Sequence, residues 1–233
     1  MSRSIQGRAA QWLLGAAVAV VVVLAGCATT PDTRSGTQTE LRMAETTLQD
    51  FRNDPDMRWF RDHIRDARAI VIAPNITRAG FVFGGSGGEA VVFYRERPGA
   101  PWVGPAFYNM GAGSVGFQFG VDVSQVVVLA LTERAANALL SPKFTLGGDV
   151  SIAVGPVGAG AATSVTTDFV SFARSKGLYA GVSLGGAVIA PDNGANAAYY
   201  GRSTTPVDIL VRHTVTNPDG RPISQMLAQM SGR

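Results

Sequence analysis

The chain has 233 residues, 46% of them apolar, and carries a formal net charge of +3 with one cysteine and two histidines. A single cysteine excludes an internal disulfide and a thiolate metal site, while this length suffices to bury one sizeable core in a single domain. Two of the three net positive charges come from Arg3 and Arg8, which lie in the first 26 residues, so the remaining chain has a charge of 3 − 2 = +1. That small excess argues against a nucleic-acid-binding protein.

The N-terminus has the pattern of a secretory signal. A short basic head precedes an apolar run from Trp12 to Leu24, too short to span a membrane comfortably, and small residues follow. The run ends in Leu24-Ala25-Gly26-Cys27, which resembles the bacterial lipobox, whose cysteine takes a diacylglyceryl group and becomes the new N-terminus. We therefore expect a lipoprotein signal peptide over 1–26 and a lipidated Cys27. A plain signal peptide or an uncleaved anchor is the alternative.

The residues after the cysteine predict where the protein resides. Ala28 occupies the position at which an Asp would favour retention at the inner membrane. The sequence therefore predicts a lipid-anchored protein of the bacterial cell envelope, at the outer membrane and facing the periplasm. Residues 27–38 are mostly polar and include a proline and a glycine, which predicts a tether between the lipid and the folded domain.

Two amphipathic helices are predicted next. Leu41, Ala44, Leu48 and Phe51 recur at helical spacing, which indicates a first helix. Asp54 can cap a second helix, and a proline follows it at a position that suits the first helical turn. We expect the second helix to continue to about residue 67.

From residue 69 onward the sequence changes to strand patterns. Of the 28 glycines, 20 lie between Gly80 and Gly186, among β-branched residues, and in 114–124 apolar side chains alternate with small or polar ones, which is typical of a strand. A helix is predicted over 133–140, a short one over 193–200, and a polar tail that frays from Asn217. The strand candidates are 69–73, 79–84, 89–95, 106–110, 114–121, 124–131, 145–154, 167–173 and 178–189.

This arrangement predicts an α+β fold that is mainly β. Closely spaced strands within one domain favour an antiparallel, glycine-rich barrel or sandwich, with the N-terminal amphipathic helices packed outside. The domain is expected over 39–216, and the polar C-terminal tail over 217–233.

The stretch Gly84-Gly85-Ser86-Gly87-Gly88 fits two functional patterns, the esterase nucleophile elbow and part of a dinucleotide fingerprint. Both patterns require a helix directly after the loop, but a β-branched and aromatic run follows here. We therefore predict a hairpin turn between two strands. A serine hydrolase using Ser86 is a remote alternative, since Asp168 or Asp192 and then His213 follow in the Ser, Asp, His order.

Metal and cofactor chemistry is not expected. No pair of histidines and no carboxylate cluster has the spacing of metal ligands. A second match to the dinucleotide fingerprint, Gly111 to Gly116, also runs into a strand, and such matches arise by chance in a glycine-rich chain. No catalytic residue, metal or cofactor is therefore assigned.

Four stretches together resemble the SYLF domain family, in the family's order and over roughly Leu41 to Val211. They are "ARAIVIAPNITRAGFVFGGSGGEAVV", "GPAFYNMGAGSVGFQFGVDVSQVVVL", "FTLGGDVSIAVGPVGAGA" and "FARSKGLYAGVSLGGAVI…NAAYYG…DIL". The resemblance implies a lipid-binding module: eukaryotic members bind phosphoinositides and related anionic phospholipids, aided by an N-terminal amphipathic helix and basic residues, and some also bind actin. Bacterial members are commonly envelope lipoproteins without an assigned enzyme activity.

Basic residues provide a candidate lipid-binding surface. Arg58, Arg61, Arg65 and Arg68 lie at i, i+3, i+7 and i+10, so a helix through them would have one basic face, as a membrane-surface helix has. Nearby aspartates leave open the alternative of a solvated face with ion pairs. Lys143, Arg174 and Lys176 are candidates for a basic rim. Four aromatic residues are either interfacial or part of the core: Trp59, Trp102, Phe107 and Tyr108.

Two functional hypotheses follow. The first is a non-catalytic, lipid-anchored envelope protein whose domain binds anionic membrane phospholipid. The second is a structural envelope lipoprotein that binds a partner protein and contacts the membrane only through its acyl chains.

Overall fold

A single nine-stranded sheet with helices on both faces forms the domain in the computed structural model, which describes residues 33–80, 83–115, 120–158, 166–175, 178–179 and 184–232. The strands are β1 (Ala69–Gly80), β2 (Phe83–Tyr94), β3 (Val103–Val115), β4 (Gly120–Ala130), β5 (Phe144–Thr145), β6 (Ile152–Val154), β7 (Phe169–Ser175), β8 (Leu178–Tyr179) and β9 (Val188–Pro191). The α-helices are α1 (Arg34–Asn53), α2 (Arg58–His63), α3 (Glu133–Ala138), α4 (Asn193–Tyr200), α5 (Pro206–Leu210) and α6 (Arg221–Met230).

The sheet order is β5-β9-β3-β2-β1-β4-β7-β6, with β8 paired to β7. Every pairing is antiparallel except that between β6 and β7, and the sheet curls into a half-barrel. The predicted fold class, α+β with an antiparallel glycine-rich sheet and helices packed outside it, is confirmed. β3 and β4 follow one another in the chain but lie on opposite sides of the β1–β2 pair.

The prediction of a turn at Gly84–Gly88 is wrong. These residues lie inside β2, where Ser86 is paired with Arg78 of β1 on one side and with Ala112 of β3 on the other. β1 and β3 hydrogen-bond to the backbone of this segment along its length. The strand therefore continues although four of its five residues are glycines. β1 extends the candidate 69–73 through an irregularity between Ala73 and Ile76 and ends at Gly80, so the candidate 79–84 is divided between the end of β1 and the start of β2.

The single strand predicted over 114–121 is also wrong. β3 ends at Val115 and β4 begins at Gly120, so the alternating pattern belongs to two strands on either side of the β1–β2 pair. Gly116, Phe117 and Phe119 lie outside the described residues.

Each face of the sheet has its own hydrophobic core, because alternate residues of a strand point to opposite faces. One core includes Val71, Val92 and Val128, and it packs against α3 and α5. The other includes Ile72, Phe93 and Leu129, and it packs against α1, α2, α4 and α6. Trp59, Trp102, Phe107 and Tyr108 are all buried in these cores, so they are core residues and not interfacial aromatics.

The helix boundaries differ from those predicted. α1 begins at Arg34, within the segment predicted as a tether, because the Thr33 hydroxyl caps it by accepting a hydrogen bond from the Gly36 N–H. The second predicted helix is a short 3-10 turn over Pro55–Met57 followed by α2, which ends at His63 instead of continuing to residue 67.

The expectation of a frayed C-terminal tail is wrong. The tail contains α6, in which Ile223, Met226 and Leu227 are buried. Their i, i+3, i+4 spacing places them on one helical face, and that face packs into the core beneath α1 and α2. Of the described helices, none is both long and apolar enough to cross a membrane.

Candidate functional site

The predicted basic residues do not form one helical stripe. Because α2 ends at His63, Arg65 and Arg68 lie in the segment that leads to β1 and not on a helix with Arg58 and Arg61. The prediction of a continuous basic helix face is therefore wrong, although all four arginines lie within one short stretch of chain between α1 and β1.

Arg61 and Arg68 hold backbone segments together. The Arg61 guanidinium donates hydrogen bonds to the carbonyl of Asp54 and, at 3.4 Å each, to those of Arg52 and Pro55. It thereby fixes the turn between α1 and α2. Arg68 donates from Nη1 to the Glu96 carbonyl at 2.6 Å, and its Nη2 lies 3.9 Å from a carboxylate oxygen of Glu133.

Arg58 and Arg65 face solvent. Their side chains are 83% and 71% exposed, and their ion pairs with Asp62 and Asp66, at 3.6 and 4.0 Å, involve carboxylates that are also more than half exposed. Exposed pairs of this kind contribute about 0–1 kcal/mol. The two guanidinium groups therefore remain available to an anionic surface, and they are the predicted lipid-binding residues whose geometry suits that role best.

The remaining predicted site residues occupy other surroundings. Arg174 lies on β7, where its Nη1 is 3.7 Å from an Asp50 carboxylate oxygen on α1, so it joins a helix to the sheet. Lys143 is exposed in the connection before β5. Cys27 and Lys176 lie outside the described residues. The structure thus does not bring the predicted basic rim together with Arg58 and Arg65 as a single contact network.

Arg95 is a buried arginine that the sequence analysis did not identify. Arg95 is only 1% exposed, and its guanidinium donates hydrogen bonds to the carbonyls of Ala67, Ile64 and Arg65 at 2.7–2.9 Å. Its Cζ also lies 4.3 Å from the ring centroid of Trp102. Arg95 thus fixes the end of the arginine segment. Its only signal in the sequence is its position directly after an apolar strand.

Polar contacts determine the course of α1 across the sheet. The Asn75 amide of β1 lies 3.4 Å from Met43 Sδ, and the Gln125 amide of β4 donates to Thr47 and to Asp50 at 3.4 and 3.0 Å. Arg174 of β7 reaches Asp50 as described above. As the residue number on α1 increases, its partners therefore move from β1 to β4 to β7, and α1 crosses these strands.

Glu40 is the most perturbed acid on this helix. It is 3% exposed, and its Oε1 has no hydrogen-bond partner among the described residues. Burial, and then the nearby carboxylates of Glu89 and Asp192, raise its pKa to about 9. The side chain is therefore neutral at pH 7. Sequence reasoning missed it because one Glu in an amphipathic helix normally faces solvent.

The described contacts do not assemble a catalytic triad around Ser86. Asp168 accepts hydrogen bonds from Thr132 and Ser151, which lower its pKa. Asp192 caps α4, and His213 Nε2 lies 3.1 Å from the Leu210 carbonyl oxygen. Within the described part of the chain, no group of three or more His, Cys, Asp or Glu residues is arranged to hold a metal ion.

Comparison with known proteins identifies relatives. The family model described as "Ysc84: Las17-binding protein actin regulator" matches residues 111–230. Protein YSC84 of Saccharomyces cerevisiae is 33% identical over 171 residues, covering 70% of this chain and 36% of the yeast protein. LAS seventeen-binding protein 3 of the same species is 32% identical over 173 residues (71% and 37%), and human SH3 domain-containing YSC84-like protein 1 is 30% identical over 190 residues (77% and 55%). The chain thus spans between about a third and about half of the length of these relatives.

Proposed function

Because this chain belongs to the SYLF family, whose Ysc84 model matches more than half of it, we propose that it is a non-catalytic, lipid-anchored protein of the bacterial envelope. Its folded domain binds anionic phospholipid at the membrane surface. The lipobox at Leu24–Cys27 supports the anchor. The lipid-binding character implied by the family resemblance supports the role of the domain.

The observation that carries the proposal is the exposure of Arg58 and Arg65, seven residues apart in the chain, on a segment whose neighbouring arginines Arg61, Arg68 and Arg95 hydrogen-bond to backbone carbonyls. Each arginine close to an anionic membrane contributes about 1 kcal/mol, screened over a Debye length of about 8–10 Å. Two arginines beside two aspartates therefore give weak, salt-sensitive binding. The lipid anchor makes weak binding sufficient, since a tethered domain meets the surface at a high effective concentration.

Flotation with vesicles tests this proposal. The chain from Ala28 onward contains every described helix and strand and lacks the lipidated cysteine. We expect it to float with phosphatidylglycerol vesicles at low salt, and not with phosphatidylcholine vesicles. Replacing Arg58 and Arg65 by Gln should abolish most of this flotation.

The matched control replaces two arginines that are exposed elsewhere, Arg202 and Arg212, by Gln. This variant should float like the parent. If the parent itself never floats, phospholipid binding by the domain is refuted. If both double variants float equally well, Arg58 and Arg65 are not the site.

A second candidate function is partner binding in the envelope without contact to lipid headgroups. The description of the family model and the name of LAS seventeen-binding protein 3 both state a protein partner for the relatives. This candidate would be favoured if the parent chain fails to float with vesicles but can be cross-linked to an envelope protein.

The proposal also excludes hydrolysis. A fluorophosphonate probe should leave Ser86 unlabelled, because Ser86 lies within a paired strand and not at a strand-to-helix turn. Labelling that disappears on Ser86→Ala would refute the non-catalytic assignment.

A further inference from the structure

The sheet has an open apolar face beside α1. Where α1 crosses β1 and β4, it contacts Asn75 and Gln125. Two residues further along each strand, on the same face of the sheet, side chains become small or apolar and the helix no longer covers them. We call this surface the open face.

The strand register defines two rows of the open face. In the first row, neighbouring strands pair Val188 with Gly111, Gly111 with Gly87, Gly87 with Thr77, and Thr77 with Val123. In the second, Gly113 pairs with Gly85, Gly85 with Ala79, and Ala79 with Val121. Strands lie about 4.8 Å apart, so the five strands of the first row make a surface about 19 Å wide.

No described element covers this surface. Val121, Val123 and Val188 are 68%, 45% and 41% exposed, so the apolar side chains of this surface form an exposed patch. A Cβ placed on Gly113 meets nothing within 4 Å, and one placed on Gly111 meets only the Ser86 carbonyl oxygen of the neighbouring strand, at 3.8 Å. The glycines therefore leave the face flat and do not accommodate a packed neighbour.

The side chains of the open face are almost entirely apolar. Thr77 is its only side chain with a polar group, and the chain carries no Asp, Glu, Lys or Arg from Ala79 to Gly88 or from Pro98 to Val121. A protein partner that presents polar or charged groups would find no complement here, whereas acyl chains would.

The length of the tether brings a bilayer within reach of this side of the sheet. Residues 28–33 lie between Cys27 and Arg34, the first residue of α1, and the seven residue steps from Cys27 to Arg34 span at most about 25 Å. α1 lies on the same face as the open face and directly beside it. A lipid on Cys27 would therefore leave this side of the sheet within reach of the membrane.

We propose that the open face is the surface through which the domain contacts lipid hydrocarbon, with Val121 and Val123 entering the boundary between headgroups and acyl chains. This inference rests on the proposed phospholipid binding and assigns a second contact to it. Arg58 and Arg65 would supply the salt-sensitive part of the binding, and the open face the part that remains at high salt, because apolar contacts are not screened.

Two variants test the proposal in the chain from Ala28 onward. Val121→Asn with Val123→Asn should lower the partition into phosphatidylglycerol vesicles at high salt by about tenfold, since two half-exposed valines lose their transfer free energy. The matched control is Val154→Asn with Val157→Asn, two valines that are 53% and 37% exposed outside the open face, and it should bind like the parent.

A tryptophan probe reports the contact directly. Val121→Trp should be quenched by vesicles with brominated acyl chains more strongly than the parent, whose Trp59 and Trp102 are buried, and Val154→Trp should not. If the parent floats but Val121→Trp is not quenched and the Asn variant binds normally, the open face is refuted and the proposed function stands.

Two further outcomes also decide the question. If the parent does not float with anionic vesicles, the proposed function and the open-face contact both fail. If the parent is a dimer in solution, and the Val121, Val123 variant is a monomer without a change in vesicle binding, the open face is an interface between two copies and the lipid contact is refuted.

Discussion

Glu40 shows how one buried carboxyl couples the stability of the domain to pH. Its pKa is raised from the ordinary value of 4.5 to about 9, because burial and the carboxylates of Glu89 and Asp192 disfavour its charged form. Between these two values the native state holds a proton that the unfolded chain has released. The free energy of unfolding therefore falls as pH rises through this interval, by at most about 1.4 kcal/mol per pH unit from this group, and the loss levels off above the folded pKa.

The substitution Glu40→Gln should remove this dependence. Gln keeps the shape of the protonated side chain and cannot ionise, so we expect the variant to match the parent near pH 4.5 and to exceed it increasingly toward pH 9. Urea unfolding across this range measures the difference. Glu45→Gln, on the same helix, reports the effect of removing a carboxylate outside the buried site. A constant difference between parent and Glu40→Gln at all pH values would contradict the prediction.

At the scale of elements, the close pairing of β2 with the irregular part of β1 depends on Gly88. A Cβ on Gly88 would lie 2.2 Å from the Asn75 carbonyl oxygen and 3.0 Å from Ile76 Cδ1. Because the nearer atom belongs to the backbone, the strands must shift, and Gly88→Ala should cost about 1–3 kcal/mol of unfolding free energy. Gly113→Ala, which meets nothing within 4 Å, should change stability by less than about 0.5 kcal/mol. Equal thermal midpoints for the two variants would contradict this account.

The C-terminal helix α6 is a structural element and not a tail. Leu227 is fully buried in the core shared with α1 and α2, so Leu227→Ala should destabilise the domain by about 2–5 kcal/mol. Gln225→Ala, on the exposed side of the same helix, should be nearly neutral. Chemical denaturation of both variants makes the comparison, and a neutral Leu227→Ala would mean that the helix does not contribute to the folding unit.

The elements differ in how far the sequence alone could specify them. Period-2 alternation and helical spacing predicted the antiparallel sheet and α1, because burial of one face imposes those periods. The same reasoning misjudged Gly84–Gly88 and residues 114–121, since strand pairing between distant segments decides where a glycine-rich strand ends. The division of the arginines into exposed and structural ones depends on carbonyls that fold next to them, such as those of Asp54 and Glu96, and no local pattern carries that information.

At the scale of the whole molecule, the proposal joins a stable anchor and a weak contact at one membrane surface. A single acyl chain gives marginal membrane binding, whereas two chains, as in a diacylglyceryl group, give stable attachment. Here Cys27 would supply the acyl chains, and the folded domain would add electrostatic contact through Arg58 and Arg65. The segment between Cys27 and α1 is short. This matters because the effective concentration of the domain at the membrane falls as the linker becomes longer than the distance it must span.

The anchor itself is the last testable point. In a Gram-negative host, the mature protein should begin at Cys27, and its intact mass should show the loss of residues 1–26 together with the gain of acyl chains. Cys27→Ser should remain unacylated and lose its stable association with the membrane, keeping at most the salt-sensitive binding expected of the domain. Ala28→Asp should move the protein from the outer-membrane to the inner-membrane fraction and leave acylation intact. A mature chain that begins at an unmodified Ala28 would refute the anchor. The domain would then have to bind the membrane without the help of acyl chains.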